Sequence, residues 1–397
     1  MWATLAIPSF RRFFLASFIT QAGDQVHRIA LYVLVYELTG STAAVAAILS
    51  AQLVVDIFLK PLLAAWAEGR ERRNLFVLSQ VAQGLLVLLV PQVAEALPLL
   101  WALVFLLQVF QALEYPLIAA IVPELVPEEQ LDAANGLVAF TKRFSEGAFV
   151  GLAGLLVAAI GPVPAFYLNA ASFFVAALLL MGLPRLPAPE VKTQGYWARI
   201  KEGFSFIAGH PLLRRAILAL FLAALLGASE NVLGVALAMG VLGVGSAGYG
   251  AIEMAMALGV VAGSILVPQV TRRYPHRLVY AASFLLFGAA IATVGMLPFF
   301  LWAVVAYFLS GLFNQGFLVP LRTMLQTETP KELIARVFGA VGSVSGTAVL
   351  LGIMGGGAVA DAIGVLTTYL IAGVGVALLG LYLVVVELGE LKQKSRL

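Results

Sequence analysis

The chain contains no cysteine and few charged residues, and each shortage limits the class of protein to which it can belong. Disulfide bonds are excluded because none of the 397 residues is a cysteine. Only 11% of the residues are charged, whereas 61% are hydrophobic. A water-soluble globule of this length has too little interior to hide so much apolar surface. The composition therefore predicts an integral membrane protein.

The motifs of several enzyme classes are missing as well. The chain has no GxxxxGK[ST] loop, so we do not expect it to use ATP directly. HExxH and GxSxG do not occur, and the three histidines, His27, His210 and His276, are scattered along the sequence. We therefore expect neither an enzyme nor a metal site, and neither a cofactor nor a nucleic-acid partner.

Long apolar stretches between polar or Pro/Gly breaks divide the chain into membrane spans. A helix needs about 20 apolar residues to cross a bilayer core about 30 Å thick. Twelve such spans are predicted, at residues 13–38, 43–66, 74–94, 98–122, 136–160, 162–183, 212–240, 246–270, 277–298, 300–325, 336–360 and 365–388. The expected fold is an all-α membrane protein of twelve transmembrane helices.

The sequence repeats itself at one fixed offset. PSFRRFFLASF at residues 8–18 resembles PLLRRAILALF at 211–221, and later matches keep the same spacing. We interpret this as a duplication that gives two pseudo-symmetric six-helix bundles. The predicted domains are 1–183 and 212–397. A linker at 184–211 joins them and carries an amphipathic helix expected on the cytoplasmic surface.

Lysine and arginine are confined to one set of loops. The loops after spans 1, 3, 5, 7, 9 and 11 contain neither residue, whereas basic residues precede span 1 and follow spans 2, 6, 8, 10 and 12. Cytoplasmic loops carry the excess of positive charge in membrane proteins. We therefore expect a multi-pass protein of the cell (inner) membrane with both termini in the cytoplasm.

Ionisable side chains inside the spans are the first candidates for function, because a charge within the bilayer is costly. Asp24 and Arg28 stand one turn apart in span 1, and an internal ion pair is the alternative explanation for them. Glu114 in span 4 has no basic residue one turn away, which favours a proton-carrying role. The candidate proton-coupling residues are Asp24, Glu114, Glu146 and Glu230.

Polar residues recur at helical spacing on spans 1, 4 and 10, and span 7 adds a polar cluster. Such stripes must face protein or water. These four spans hold equivalent places in the repeated three-helix units, so they can converge on a central cavity. The candidate cavity residues are Gln21, Arg28, Tyr32, Gln108, Gln111, Tyr115, Arg143, Asn231, Glu253, Tyr307, Asn314, Gln315 and Arg322.

Two further patterns have a structural explanation at least as good as a functional one. Asp56 and Lys60 stand one turn apart near the end of span 2, which indicates a structural ion pair. Arg143 can likewise pair locally with Glu146. GxxxG pairs at 147/151, 259/263 and 352/356 predict close helix packing. The motif alone leaves open whether they join the halves or pack helices within one half.

The chain resembles the major facilitator superfamily over its whole length, in its two six-span halves, its central linker and its cavity spans 1, 4, 7 and 10. ITQAGDQVHRIALYVLVYELTGS (19–41), PELVPEEQLDAANGL (123–137) and ARIKEGFSFIAGHPLLRR (198–215) resemble the drug:proton antiporters that include macrolide and enterobactin exporters. The resemblance implies proton-coupled export of small amphipathic or hydrophobic compounds by alternating access. The expected partners are this small-molecule substrate, protons and membrane lipids, with the chain acting as a monomer.

The resemblance also implies a conformational loop after span 2. Family members carry Gly, then Asp four residues later, then Arg pairs; here Ala64 and Glu68 hold the first two places. The loop residues expected to act are Asp56, Glu68, Arg70, Arg72 and Arg73. Span 5 reads FVGLAG at 149–154, without the Gly-Pro pair of many exporters. A lysophospholipid or lipid flippase, with Arg28 or Arg322 meeting a phosphate, and a nutrient importer are the alternatives.

Overall fold

The computed structural model describes residues 2–67, 70–145, 149–185, 196–330 and 333–394. Within these ranges the chain forms seventeen α-helices and no strand. The all-α prediction is therefore confirmed for this part of the chain.

The helices follow one another with short connections. The first nine are α1 (Pro8–Thr39), α2 (Thr42–Val54), α3 (Lys60–Ala67), α4 (Arg72–Val93), α5 (Leu97–Ala112), α6 (Glu114–Leu125), α7 (Leu131–Phe144), α8 (Val150–Ile160) and α9 (Pro162–Met181). The other eight are α10 (Tyr196–Gly209), α11 (Pro211–Gly227), α12 (Glu230–Ala236), α13 (Gly245–Thr271), α14 (His276–Met296), α15 (Phe300–Glu328), α16 (Ile334–Ile363) and α17 (Val365–Lys394). A π-helical segment, Val55–Leu59, joins α2 to α3, and another, Leu237–Val241, follows α12.

Nine helical segments in the described ranges are long and apolar enough to cross a membrane, and α5 and α8 are shorter apolar helices. The first predicted span, α1, is 32 residues long and exceeds the length that a bilayer requires. Its polar stripe lowers its mean hydropathy, so it is not among the nine segments. The property that makes α1 a candidate for function thus also weakens its signal as a membrane span.

Predicted span 4 is two helices rather than one. Helix α5 ends at Ala112 and α6 begins at Glu114. Pro116 has no backbone N–H to donate to the carbonyl of Ala112, four residues earlier, so a regular helix is not maintained there. The break places Glu114 in the first turn of a new helix. Span 5 likewise appears as α7 and α8, and residues 146–148 between them lie outside the described ranges.

Span 7 is interrupted at its polar cluster. Helix α11 ends at Gly227, and α12 begins at Glu230. Carbonyl groups near the break are satisfied by side chains, since Ser229 Oγ donates to Leu226 O at 3.0 Å and Asn231 Nδ2 donates to Ala228 O at 3.0 Å. Buried backbone groups need such partners wherever the helical pattern stops.

By their internal contacts the residues divide into two compact units. Unit 1 comprises Met1–Gly40, Ala47–Thr193 and Gly245–Gly250, and unit 2 comprises Ser41–Ala46, Gln194–Val244 and Ala251–Leu397. Unit 1 holds α1 to α9 and unit 2 holds α10 to α17, except for two short segments. The first residues of α2 belong to unit 2, and the first residues of α13 belong to unit 1.

Contacts within each unit explain why these two segments are grouped with it. In unit 2, Asp361 at the end of α16 accepts hydrogen bonds from the backbone N–H of Thr42 at 2.8 Å and of Ala43 at 3.2 Å. A carboxylate at a helix N-terminus satisfies amides that have no partner in the helix. In unit 1, Gly154 of α8 packs against Gly250, backbone against backbone.

Close helix packing holds each unit together. In unit 1, α1 and α4 pack on α9, and the fully buried rings of Phe10 and Phe13 belong to its core together with Phe76. In unit 2, α14 packs on α15 and α17, where Gly288 and Gly373 allow the backbones to meet.

The GxxxG pairs of the second half pack inside unit 2. Gly259 and Gly263 of α13 face α15, and Gly352 and Gly356 of α16 face α11 and the turn after it. Packing within one half is thus the right interpretation for these two pairs. Gly147 of the remaining pair lies outside the described residues.

Candidate functional site

Unit 1 holds two half-buried carboxylates, Asp24 and Glu114, among side-chain amides. Gln111 of α5 donates through Nε2 to Oδ2 of Asp24 at 3.2 Å. Gln80 and Gln83 of α4 each donate from Nε2 to Oε1 of Glu114 at 2.8 Å. Gln80 is 1% exposed and Gln83 is fully buried, so these amides serve the carboxylate and not solvent. We call these five side chains the carboxylate–amide cluster.

Local helix geometry explains how the carboxylate–amide cluster forms. Gln80 and Gln83 are three residues apart and therefore share one face of α4. Gln111 lies just before the break at Leu113, and Glu114 lies just after it. Gln111 therefore contacts α1, whereas Glu114, three residues later, contacts α4. Asp24 and Glu114 lie close enough for their charges to interact. The cluster thus couples α1, α4, α5 and α6.

Asp56 belongs to a second polar group beside this cluster. Lys60 Nζ lies 3.3 Å from Asp56 Oδ1, which confirms the predicted ion pair. Gln108 of α5 also donates to Asp56 Oδ2 at 3.2 Å. Gln108 and Gln111 are three residues apart, so one face of α5 serves both Asp56 and Asp24. The charge of Lys60 also acts on Glu114.

Three more predicted cavity residues lie on α1. Gln21 and Arg28 are half-buried and share the face of Asp24, because the steps between them are three and four residues. Tyr32 is only 4% exposed, and its hydroxyl donates to Gln52 Oε1 at 3.3 Å. The polar stripe predicted on span 1 is therefore enclosed by protein along its second half.

Unit 2 contains a cavity of about 430 Å³ bounded by the six helices α11 to α16. Most of its lining is apolar, with Phe287, Phe317 and Phe338 among the walls. Its polar lining includes four residues predicted from the sequence, and these are Glu230, Asn231, Asn314 and Arg322. Ligand sites typically combine an apolar wall with a few polar groups in this way.

Three other predicted residues of this half lie outside that lining. Tyr307 is fully buried, and its hydroxyl bonds to that of Tyr369 at 2.5 Å and to the carbonyl of Glu230 at 3.3 Å. Tyr307 therefore supports the backbone at Glu230 and does not face the cavity. Gln315 packs against Gly263 of α13, and Glu253 lies near enough to Glu230 to influence its charge.

The predicted conformational loop fastens helix ends within unit 1. Arg72 donates to the carbonyl of Ala120 at 3.1 Å and pairs with Glu124 at 3.3 Å, both in α6. Arg73 donates to the carbonyl of Leu183, just after α9, at 3.2 Å. These two arginines therefore tie the start of α4 to two other helices.

The remaining predicted residues of unit 1 are only partly accounted for. Arg70 stacks its guanidinium 3.7 Å from the ring centre of Trp66. Glu68 and Glu146 lie outside the described residues, as do the side chains of Tyr115 and Arg143. In the part of the chain that the structure describes, no group of three or more His, Asp or Glu is arranged to hold a metal ion.

Apolar helices of membrane length, buried intramembrane carboxylates and a mostly apolar cavity together define a solute transporter of the membrane. The chain belongs to the transmembrane secretion effector family of the major facilitator superfamily, whose family model matches residues 1–396. It is a multi-pass transporter of the inner membrane and not an enzyme.

Relatives of known sequence support this assignment. The uncharacterized MFS-type transporter YfiS of Bacillus subtilis is 29% identical over 384 residues, which cover 91% of this chain and 89% of YfiS. The enterobactin exporter EntS of Salmonella typhimurium is 28% identical over 396 residues, which cover 97% of this chain and 94% of EntS.

Solved structures share the fold at low sequence identity. The nucleoside transporter NupG superimposes with a TM-score of 0.76 at 14% identity, covering 94% of this chain and 98% of NupG. A bacterial homologue of the iron transporter ferroportin gives a TM-score of 0.69 at 16% identity, covering 94% and 98%. The predicted twelve-helix fold of the superfamily is confirmed.

Proposed function

We propose that the chain is a proton-coupled exporter of small amphipathic or hydrophobic organic compounds that works by alternating access. The carboxylate–amide cluster is the observation that carries this proposal. Intramembrane carboxylates enclosed by protein commonly act as proton relays in transporters. The similarity to enterobactin exporters supports export of an organic compound.

Protonation of Glu114 changes the bonding between helices, which supplies a physical route for coupling. As a carboxylate it accepts from Gln80 and Gln83 at a single oxygen. As a carboxylic acid it has one O–H to donate and less capacity to accept. The two hydrogen bonds from the glutamines of α4 are then weaker, because a neutral acid accepts less strongly than a carboxylate. A proton arriving here therefore alters the packing of α4 on α6.

The cavity of unit 2 supports the proposed substrate class. Its volume of about 430 Å³ is in the range of sites for drug-sized molecules. Aromatic walls suit an apolar body. Glu230 and the amides of Asn231 and Asn314 suit a polar or cationic group, and Arg322 in the same lining suits an acidic one. We infer that an amphipathic organic cation fits this lining better than a sugar, which needs many more hydrogen-bonding groups.

Transport by purified protein in proteoliposomes tests the coupling. A pH gradient is imposed and uphill movement of ethidium, an amphipathic cation, and of enterobactin is measured. We expect Asp24→Asn and Glu114→Gln to abolish uphill transport while downhill exchange persists, because each variant keeps the shape of the side chain but cannot exchange a proton. Glu95→Gln, at an exposed carboxylate in the connection between α4 and α5, is the matched control.

Two results would contradict the coupling role. The first is full uphill transport by both variants. The second is equal loss in the Glu95→Gln control. Thermal unfolding of each purified variant separates loss of coupling from loss of fold.

A thermal-shift screen addresses the substrate class. A ligand present at about 100 times its Kd stabilises the folded state by about 2.7 kcal/mol. We expect ethidium to raise the unfolding temperature of the wild type, and Glu230→Gln to reduce that increase. Stabilisation by sugars alone would favour a nutrient importer, and stabilisation by lysophospholipids alone would favour a flippase.

We also propose that both termini and the linker face the cytoplasm, on the strength of the basic loops. Because the chain has no cysteine, a single introduced cysteine has no background. A membrane-impermeant maleimide added to intact spheroplasts is expected to label Glu95→Cys and to spare Arg273→Cys. The reverse pattern would invert the topology.

A further inference from the structure

The cavity of about 430 Å³ in unit 2 has charged side chains of both signs in its lining. Among the described residues that line it, Glu230 and Arg322 are the charged ones. The other lining side chains are apolar, small, or neutral amides and hydroxyls. A compound that carries only a positive charge therefore has a partner in Glu230 but none in Arg322.

The two charges lie far apart along α15. Glu230 lies beside Ser310 of that helix, and its backbone carbonyl accepts from the Tyr307 hydroxyl at 3.3 Å. Arg322 follows Ser310 by twelve residues, which is about 18 Å of helix length. Even two extended side chains do not close such a gap into an ion pair. Each charge is therefore left to interact with whatever enters the cavity.

An aromatic wall stands between the two charges. Phe317 follows Ser310 by seven residues and precedes Arg322 by five, so it lies between them along α15. Its ring packs edge-to-face on that of Phe287 in α14, with ring centres 5.6 Å apart. Both rings belong to the lining. Packed aromatic rings favour another flat apolar group, so the middle of the cavity suits a rigid aromatic body.

Glu230 has an unsatisfied oxygen atom at one end of this arrangement. The residue is only 3% exposed, and its Oε1 has no hydrogen-bond partner among the described residues. A buried acceptor without a partner destabilises the folded state. An N–H group of a ligand supplies the missing hydrogen bond, and it does so most strongly when the ligand group is positively charged. This end of the cavity therefore favours an ammonium group.

Arg322 has an uncompensated charge at the other end. It is exposed within the lining, and no carboxylate in the part of the chain that the structure describes forms an ion pair with it. Arg215 of the same unit, by contrast, is paired with Glu390 at 2.7 Å. A guanidinium presents planar donor groups that match a carboxylate in a paired geometry. This end of the cavity therefore favours an acidic group.

We propose that the cavity of unit 2 binds amphipathic zwitterions whose positive and negative groups stand at opposite ends of a rigid apolar body. The ammonium group lies at Glu230, the body against Phe287 and Phe317, and the acidic group at Arg322. Arg322 is then the residue that determines specificity for the acidic group. This inference rests on the proposed function, because it takes this cavity to be the substrate site, and it narrows the class of substrate from amphipathic cations to zwitterions.

Isothermal titration calorimetry of the purified full chain in detergent tests the proposal with four compounds that share one biphenyl body. The first has an aminomethyl group at one end and a carboxylate at the other. The second is its methyl ester, which keeps only the positive charge. The third has a methyl group in place of the aminomethyl group and keeps only the negative charge. The fourth is biphenylalanine, which has both charges at one end.

We expect the first compound to bind tightest. Each of the other three should bind about tenfold more weakly or worse, because each lacks a hydrogen bond to a charged group of the cavity.

Two substitutions separate the two ends of the cavity. Arg322→Gln should weaken binding of the first compound by about tenfold and leave the methyl ester unchanged. Glu230→Gln should weaken the first compound and the methyl ester alike and leave the third compound unchanged. Arg322→Lys, which keeps the charge without the paired donors, should fall between the wild type and Arg322→Gln. Each glutamine variant keeps one ligand whose binding does not change, so a variant that fails to fold is recognised.

Two matched controls lie outside the lining. Arg273→Gln removes an exposed arginine after α13, and Glu95→Gln removes an exposed carboxylate between α4 and α5. Both variants should bind all four compounds as the wild type does.

Four outcomes would overturn the proposal. A methyl ester that binds as tightly as the first compound would show that no acidic group is recognised. Biphenylalanine matching the first compound would show that the separation of the charges is irrelevant. Arg273→Gln weakening binding as much as Arg322→Gln would show an effect of general charge. Binding of none of the four compounds would show that the cavity does not take this class.

None of these outcomes decides the proposed function. Proton-coupled transport of ethidium in proteoliposomes tests that function without any of the four compounds. Intact coupling with no preference for the zwitterion would therefore remove only the present inference.

Discussion

Gly259 of α13 occupies a position with no room for a side chain. A Cβ atom there would overlap the carbonyl oxygen of Phe308 and would lie 2.9 Å from its carbonyl carbon and 3.0 Å from the backbone nitrogen of Leu312. Gly311 of α15 meets the carbonyl of Met256 on α13 in the same way. Because the obstacles are backbone atoms, no rotamer change relieves the overlap. Gly259→Ala therefore forces α13 and α15 apart.

The cost follows from two opposing effects. Overpacking of a close contact typically destabilises the folded state by about 1–3 kcal/mol. Replacing glycine by alanine within a helix stabilises it by about 1 kcal/mol. We expect Gly259→Ala to be destabilised by about 0–2 kcal/mol relative to the wild type, and by about 1–3 kcal/mol relative to a glycine-to-alanine variant in which no atoms overlap. Thermal unfolding of the purified protein in detergent measures it, as a lower unfolding temperature for the variant.

Gly355→Ala is the matched control, since no atom lies within 4 Å of a Cβ at that position of α16. The control should be neutral or slightly more stable than the wild type. If Gly259→Ala were as stable as Gly355→Ala, the argument that glycine permits the α13–α15 contact would be refuted.

Two further variants test contacts within unit 2 by the same unfolding measurement. Asp361→Ala removes the acceptor at the start of α2 and should cost about 1–2 kcal/mol, whereas Glu95→Ala, at an exposed carboxylate, should cost nothing; equal stability of the two would contradict the capping role. Tyr369→Phe deprives the buried Tyr307 hydroxyl of a partner and should cost about 1–3 kcal/mol. Tyr382→Phe, at a side chain that is 65% exposed, should leave the stability unchanged. An equal loss of stability in both variants would contradict a stabilising role for the hydrogen bond between Tyr307 and Tyr369.

Most of the fold was predictable because the bilayer imposes length and apolarity on every span. Hydropathy does not show where a helix is interrupted, however. The break before Glu114 lies inside a stretch that reads as one span, and only Pro116 indicates it. The interruption before Glu230 coincides with a polar cluster that Gly227 and Gly234 flank.

The sequence identified several residues of the candidate site but not which residues they contact. Periodicity identified Asp24, Gln111 and Glu114 as inward-facing, but Gln80 and Gln83 were not among the candidates, although they form a polar pair three residues apart in an apolar span. Which helix such a pair faces depends on tertiary packing, which one sequence does not reveal. Periodicity also cannot separate a residue that lines a cavity from one that supports it, and Tyr307, whose hydroxyl contacts Tyr369 and the backbone of Glu230, shows this.

Substrate-evoked proton movement is the most direct test of the account. Proteoliposomes are loaded with a pH-sensitive dye, ethidium is added in the absence of any imposed gradient, and the pH of the lumen is followed. The account predicts a pH change with the wild type and none with the Asp24→Asn/Glu114→Gln double variant, while Glu95→Gln behaves as the wild type. Ethidium transport by the wild type without a pH change, or an undiminished pH change with the double variant, would contradict the claim that these two carboxylates couple protons to transport.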